Sequence, residues 1–161
     1  MALASPLERP GELELVITRI FDAPRALVFR MWTSPEHLAR WWGPKGFTTL
    51  ACAMDVRPGG AWSRHMQGPD GLVIIKRGVY REVVPPEHLV FTYADEQEDG
   101  SLGPVTLVTV TLEEQGAKTR LTLRQTGFAT ISARDGHEGG WASCMERFAA
   151  YLAEHRDGDE T

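Results

Sequence analysis

Few residues in this 161-residue chain have both the type and the setting for chemistry. Arg64, His65 and Glu82 stand in stretches that alternate like β-strands, where residues of equal parity share a face. Arg64 has the parity of Trp62 and Met66. If those face inward it does too, and a guanidinium there needs an anionic partner from the protein or a ligand. His65 takes the opposite parity and is expected outward. Glu82 shares parity with Tyr80 and could face an interior, where it would be a candidate acid or base; the alternative is a solvated or Arg-paired side chain. His137-Glu138 could begin a metal site, but no third ligand is spaced nearby, and an exposed helix start is the plainer reading. The sequence has no H-E-x-x-H, no C-x-x-C and no G-x-S-x-G, so zinc chemistry and a serine nucleophile elbow have no support. Arg57-Pro58-Gly59-Gly60 is a turn between strands, not a phosphate loop opening a helix. No catalytic residue, metal or cofactor is assigned.

Large apolar and aromatic residues are the richer signal. Trp62, Met66, Tyr80, Phe91 and Tyr93 occupy central strands, with Trp62 and Met66 on one face and Phe91 and Tyr93 on one face. They are either ordinary core or the wall of a cavity, with Phe128, Trp141 and Met145 opposite. Trp41 and Trp42 end a short helix, where neighbours point about 100° apart. One is expected in the core and the other, Trp42, at a cavity rim. Cys52 and Cys144 read as free buried thiols.

The elements that must position these residues follow from periodicity. Asp135 to His155 is the one long amphipathic helix, with Trp141, Met145, Phe148 and Leu152 at i, i+4, i+7 and i+11. Asp135 is the expected N-cap, and Gly136, Gly139 and Gly140 weaken the first turn. Phe148 and Leu152 are expected to seal the core; Trp141 and Met145 should face whatever the protein holds. Strands are expected at 12–21, 47–56, 61–67, 72–84, 88–94, 104–114 and 118–126. In the last, Thr119, Leu121, Leu123 and Gln125 alternate with Lys118, Arg120, Thr122 and Arg124, the pattern of a sheet with one wet face. Two short helices, begun by Asp22-Ala23-Pro24 and Ser34-Pro35-Glu36, separate the first two strands. The expected fold is α+β: a curved seven-stranded antiparallel sheet wrapped around the long C-terminal helix.

Hydrophobic residues at 42% and charged ones at 24% are ordinary for a globular domain. Net charge of −5 with scattered arginines argues against a nucleic-acid partner. The N-terminus shows no basic stretch followed by an apolar one, so no signal peptide is expected, and no apolar run is long enough for a membrane span; the expected location by default is the cytoplasm. Residues 1–11 read as a flexible tail, 12–156 as one domain and 157–161 as a disordered tail.

Several ordered stretches carry a resemblance: Phe21-Asp22-Ala23-Pro24, the run from Trp32 to Pro44, Asp55-Val56-Arg57-Pro58-Gly59-Gly60, the run from Gly78 to Tyr93, and Gly139-Gly140-Trp141. Together they resemble the START-like, birch-pollen-allergen-like helix-grip superfamily, and within it the bacterial branch of the activator of heat-shock-protein-90 ATPase homologue family. The resemblance implies a cavity between the sheet's concave face and the long helix. Members of the superfamily bind lipids, steroids, polyketides or plant hormones there, and a minority are cyclases or hydrolases. It transfers no catalytic residue set. Three functions follow as expectations. The first is binding of a small hydrophobic or amphipathic ligand, with Trp42, Trp62, Arg64, Met66, Tyr80, Glu82, Phe91, Tyr93, Phe128, Trp141 and Met145 as wall candidates. The second is a cyclase, dehydratase or hydrolase on an aromatic or polyketide-like substrate, and the third a co-chaperone-like interaction module. Homodimerisation is left open.

Overall fold

The computed structural model describes residues 13–155, so the two expected tails lie outside the described residues. The elements are β1 (Glu14–Phe21), α1 (Arg25–Thr33), α2 (Pro35–Trp41), β2 (Thr48–Met54), β3 (Ala61–Gln67), β4 (Val73–Val84), β5 (His88–Asp95), β6 (Thr106–Gln115), β7 (Lys118–Thr126) and α3 (Ile131–His155). The seven strands form one antiparallel sheet in the order β1-β7-β6-β5-β4-β3-β2. Strands β2 to β7 therefore meander by hairpins, and β1 joins beyond β7. Helices α1 and α2 carry the chain from one edge of the sheet to the other, and α3 lies across the concave face.

Alternation sets the faces. On β7, Thr119, Leu121, Leu123 and Gln125 are all fully buried, while Lys118, Arg120 and Arg124 are exposed. On β6, Thr106, Val108, Val110 and Leu112 face the same interior. The core is completed from the helices by Val28, Met31, Trp32, Leu38, Trp41, Met145, Phe148 and Leu152. Thr119 is satisfied by donating its hydroxyl proton to the Ala23 carbonyl at 2.7 Å, which ties β7 to the start of α1.

Two sequence expectations are corrected. Helix α3 begins at Ile131, not after Asp135. Thr130 is the cap: its Oγ1 accepts from the Ala133 amide at 3.0 Å. Asp135 lies inside the helix, exposed, and pairs with Arg134. The three glycines that suggested a frayed start are interior helix positions. Glu82 faces outward. The β4–β5 ladder slips between Tyr80 and Glu82, and a bulge of one residue reverses parity beyond it. Val83 takes the inward place, and Glu82 pairs with His88 at 3.2 Å on the surface.

Candidate ligand cavity between the sheet and the last helix

Helix α3 changes character along its length. Ala133, Gly136, Gly140 and Cys144, spaced three, four and four apart, share one face. Small side chains there leave the space under the helix unfilled, and a cavity of about 290 Å³ lies beneath them. Its sheet wall is Met66 on β3, Ile74 and Lys76 on β4, and Tyr93 on β5. Trp141 borders it from the helix; Trp42, Gly43, Pro44 and Phe47, in the connection from α2 to β2, close one side.

That connection is pinned by one side chain. The Nη1 of Arg147 on α3 donates to the carbonyl oxygens of Trp42, Gly43, Pro44 and Phe47 at 3.0–3.2 Å, its hydrogens shared among them. A guanidinium suits a cluster of carbonyls at a helix end because it offers several donors and full charge. Gly43 sits at φ +96°, and a Cβ there would approach Met66 Sδ to 2.8 Å, so the turn needs glycine on both counts.

Trp141 is oriented by a buried chain of hydrogen bonds. Its Nε1 donates to Gln125 Oε1 at 2.7 Å, Gln125 Nε2 donates to Thr106 Oγ1 at 2.7 Å, and that hydroxyl donates to the Tyr93 carbonyl at 3.0 Å. The chain runs from α3 across β7 and β6 to β5, and it fixes the indole against the cavity.

The cavity's polar groups cluster at its sheet and helix-start side. Lys76 forms an ion pair with Asp95, its cross-strand neighbour. Burial acts to lower the Lys76 pKa, but Tyr93 and Asp95 outweigh it and the net shift is upward. Burial pushes the Tyr93 phenol up, so both groups hold their protons at neutral pH. His137 donates from Nδ1 to the Ala133 carbonyl at 2.8 Å, and its ring packs against Phe128 and Tyr93. In the neutral ring Nε2 is then the acceptor.

Beside this cavity, across Trp42, lies Arg64. It is 3% exposed, and its guanidinium carbon stands 4.3 Å from the ring centres of both Trp42 and Trp62. Trp62 lies over Gly78, where a Cβ would collide with the Thr92 carbonyl, and donates to that carbonyl at 3.2 Å. The Arg64 Nε and Nη1 have no hydrogen-bond partner, and neither has the Trp42 Nε1. Each cation–π contact is worth on the order of 2 kcal/mol when desolvated. Taking a guanidinium out of water costs several kcal/mol, and unpaired donors add to it.

The expected wall residues therefore divide. Trp42, Met66, Tyr93 and Trp141 border the cavity. Trp62, Arg64, Tyr80 and Phe91 form the adjoining aromatic layer, where the Tyr80 and Phe91 ring centres are 5.9 Å apart. Met145 is packed core, Phe128 lies behind His137, and Glu82 is outside. Sequence reasoning missed Lys76 and His137. The parity that placed Tyr80 inward also covers Lys76, and the small-residue face of α3 was legible as Ala133, Gly136, Gly140 and Cys144. Among the described residues no cluster of His, Cys, Asp and Glu could hold a metal ion.

The sequence pattern of the family described as "Activator of Hsp90 ATPase homolog 1-like protein" matches residues 22–153. The chain belongs to this family. Solved structures agree. A protein from Arthrobacter aurescens is 30% identical, with a TM-score of 0.80 over 92% of this chain and 91% of its own. The AHSA1 protein from Silicibacter pomeroyi is 27% identical, with a TM-score of 0.81 over 88% and 99%. A protein from Nitrosomonas europaea is 27% identical, with a TM-score of 0.78 over 92% and 99%. No curated protein matches the chain. The AHSA1 fold is the START-like helix grip, which commonly binds hydrophobic ligands. Among the described residues no helix is long and apolar enough to cross a membrane.

Proposed function

We propose that this AHSA1-family protein binds a compact apolar or amphipathic small molecule in the cavity under the first half of α3. The observation that carries the reading is the pair Gly136 and Gly140, which border the cavity one helical turn apart. Glycine inside a helix costs roughly 0.5–1 kcal/mol relative to alanine. A helix that only packed would gain by losing both. At about 290 Å³ the space falls just short of the roughly 300 Å³ at which drug-sized ligand pockets start, and suits a ligand of one or two rings better than an acyl lipid. The carboxylate that an enzyme reading relied on, Glu82, lies outside, so catalysis forms no part of the proposal. Both cysteines are free thiols, in keeping with the reducing cytoplasm as its place of work.

Gly136→Leu is the decisive variant. A Cβ at Gly136 meets nothing within 4 Å, so leucine has room to enter without moving backbone. Native mass spectrometry of protein from its host should show a bound small molecule in the wild type and none in Gly136→Leu, with the thermal midpoint retained. Equal ligand occupancy in the two proteins would place the ligand elsewhere and end the reading.

A further inference from the structure

The cavity has a neighbour that the proposal above leaves unused. Arg64 is buried, and no carboxylate among the described residues forms an ion pair with it. Its cross-strand partners in the sheet are Cys52 on β2 and Lys76 on β4. The groups facing it that could supply a negative charge are held neutral. Burial pushes the Tyr80 phenol up against the pull of Arg64, and the Cys52 thiol likewise. Burial also draws the Arg64 pKa down, but a guanidinium stays protonated at neutral pH. Lys76 makes the contrast: it borders the cavity and carries its own carboxylate, Asp95.

Three buried donors, Arg64 Nε, Arg64 Nη1 and Trp42 Nε1, thus lie unpartnered in one aromatic cluster. The Tyr80 hydroxyl and the Cys52 thiol also hydrogen-bond with the Arg64 side chain, but both are neutral and leave its charge uncompensated. Water can accept from such donors but brings no counter-charge. The indoles of Trp42 and Trp62 both pack against the guanidinium, 4.3 Å from its carbon, and its unpartnered N–H groups are where a partner would bind. Trp42 belongs both to this cluster and to the cavity wall, and Lys76 brings the cavity one strand away from Arg64.

We infer that Arg64 is the receptor for an anionic group on the cavity's ligand, which makes that ligand a compact apolar carboxylic acid. Its ring system occupies the space beneath Gly136 and Gly140. Its carboxylate passes the Trp42 partition and accepts from the edge of Arg64. Charge-assisted bonds of this kind are the strong ones, and an acid that completes a buried charge is favoured over its neutral isostere. The inference rests on the ligand reading above and narrows it to one class.

The test uses two probes of like shape, 2-naphthoate and 2-naphthamide, with calorimetric titration of the full-length protein and of Arg64→Met. The wild type should bind the acid about tenfold or more tightly than the amide. Arg64→Met should bind both alike, at the strength the wild type shows for the amide. Its thermal midpoint should not fall below that of the wild type, because an apolar isostere replaces a buried uncompensated charge. Independently of any variant, the Arg64 Nε–H resonance should move on adding naphthoate and stay still on adding naphthamide. If the wild type binds acid and amide equally, or the resonance is unmoved by the acid, the inference is wrong while the cavity remains a ligand site. If Arg64→Met keeps the preference for acid, the receptor is another group and the inference is again wrong. If neither probe binds the wild type, the ligand reading fails and takes the inference with it.

Discussion

The two halves of α3 meet the same sheet and do opposite things to it. From Cys144 to Leu152 the helix presents Met145, Phe148 and Leu152, all buried, and Phe148 lies 4.5 Å from the Trp41 ring and 5.0 Å from Phe21. From Ile131 to Gly140 it presents Ala133, Gly136 and Gly140, and the sheet beneath keeps a void. Trp141 stands at the junction, packed on Trp42 at 4.9 Å and bonded to Gln125, with one side on the cavity. The difference teaches how a small domain keeps space inside itself. The void is not a packing failure, because Met145 and Phe148 in the neighbouring turns are packed to zero exposure. It is held open by a rigid helix anchored at one end and shaved at the other.

The anchored end should be the sensitive one. Phe148→Ala is expected to cost about 3–5 kcal/mol, read from urea denaturation, because the surrounding rings cannot collapse onto the vacancy. A loss below about 1 kcal/mol would mean the anchor is not an anchor, and the comparison would break. Arg147 links the two regions, since it belongs to the anchored half but holds the cavity's side wall. Arg147→Met removes charged donors from four carbonyls and should cost about 2–3 kcal/mol. Amide exchange at Gly43, Lys45 and Phe47 should quicken more than exchange in β6 and β7. Uniform quickening would show that the clamp serves global stability only.

Much of this division was readable in the residues, and the reasons for the remainder are physical. The period of Trp141, Met145, Phe148 and Leu152 marked the anchored half because large side chains leave a strong periodic signal. Met145 went to the core rather than to the cavity: Cys144 still borders the void, and its neighbour Met145 points about 100° away. Absence of side chains gives no such signal: three glycines looked like a weak helix start, although Thr130 was available as a cap. Arg64 could be placed inward by parity because the β3–β4 register runs without a shift from Ala61 to Gln67. Glu82 could not, because a one-residue bulge after Tyr80 leaves no mark in the alternation. Lys76 escaped notice because charge on a strand suggests solvent; its ion pair with Asp95 is what permits an inward place.

That ion pair gives the cavity side a pH signature of its own, beside that of the buried Cys144 thiol, which burial pushes up to about 12. The folded-state pKa of Lys76 is raised above the lysine value of 10.5. The folded protein therefore binds this proton more tightly than the unfolded chain does. The contribution is fully present below that value and is lost as pH rises through the folded pKa. Burial raises the phenols of Tyr80 and Tyr93, which adds slope of the same sign. Urea midpoints measured between pH 10 and 12 should fall for the wild type and fall less steeply for Lys76→Met. Parallel curves would show that Asp95 does not hold Lys76 in solution.

The smallest expected effects discriminate most finely, because they set two glycines of one helix against each other. Gly136 borders the cavity and Gly139 does not, yet an added Cβ meets nothing within 4 Å at either. Alanine should therefore stabilise the helix at both positions by about 0.5–1 kcal/mol, since each glycine has more backbone freedom to lose on folding. For a chain of this length that is roughly 1–4 °C in the thermal midpoint. Binding should separate them. Gly139→Ala adds its methyl group away from the cavity and should leave affinity for 2-naphthoate unchanged. Gly136→Ala takes volume from the cavity and should weaken it. If both variants gain stability and neither changes binding, the small-residue face is not what keeps the ligand's place, and the contrast between the two halves of α3 reduces to one of packing density. If Gly136→Ala alone loses affinity while both gain stability, glycine at 136 is kept at a cost to the helix because the cavity needs the room.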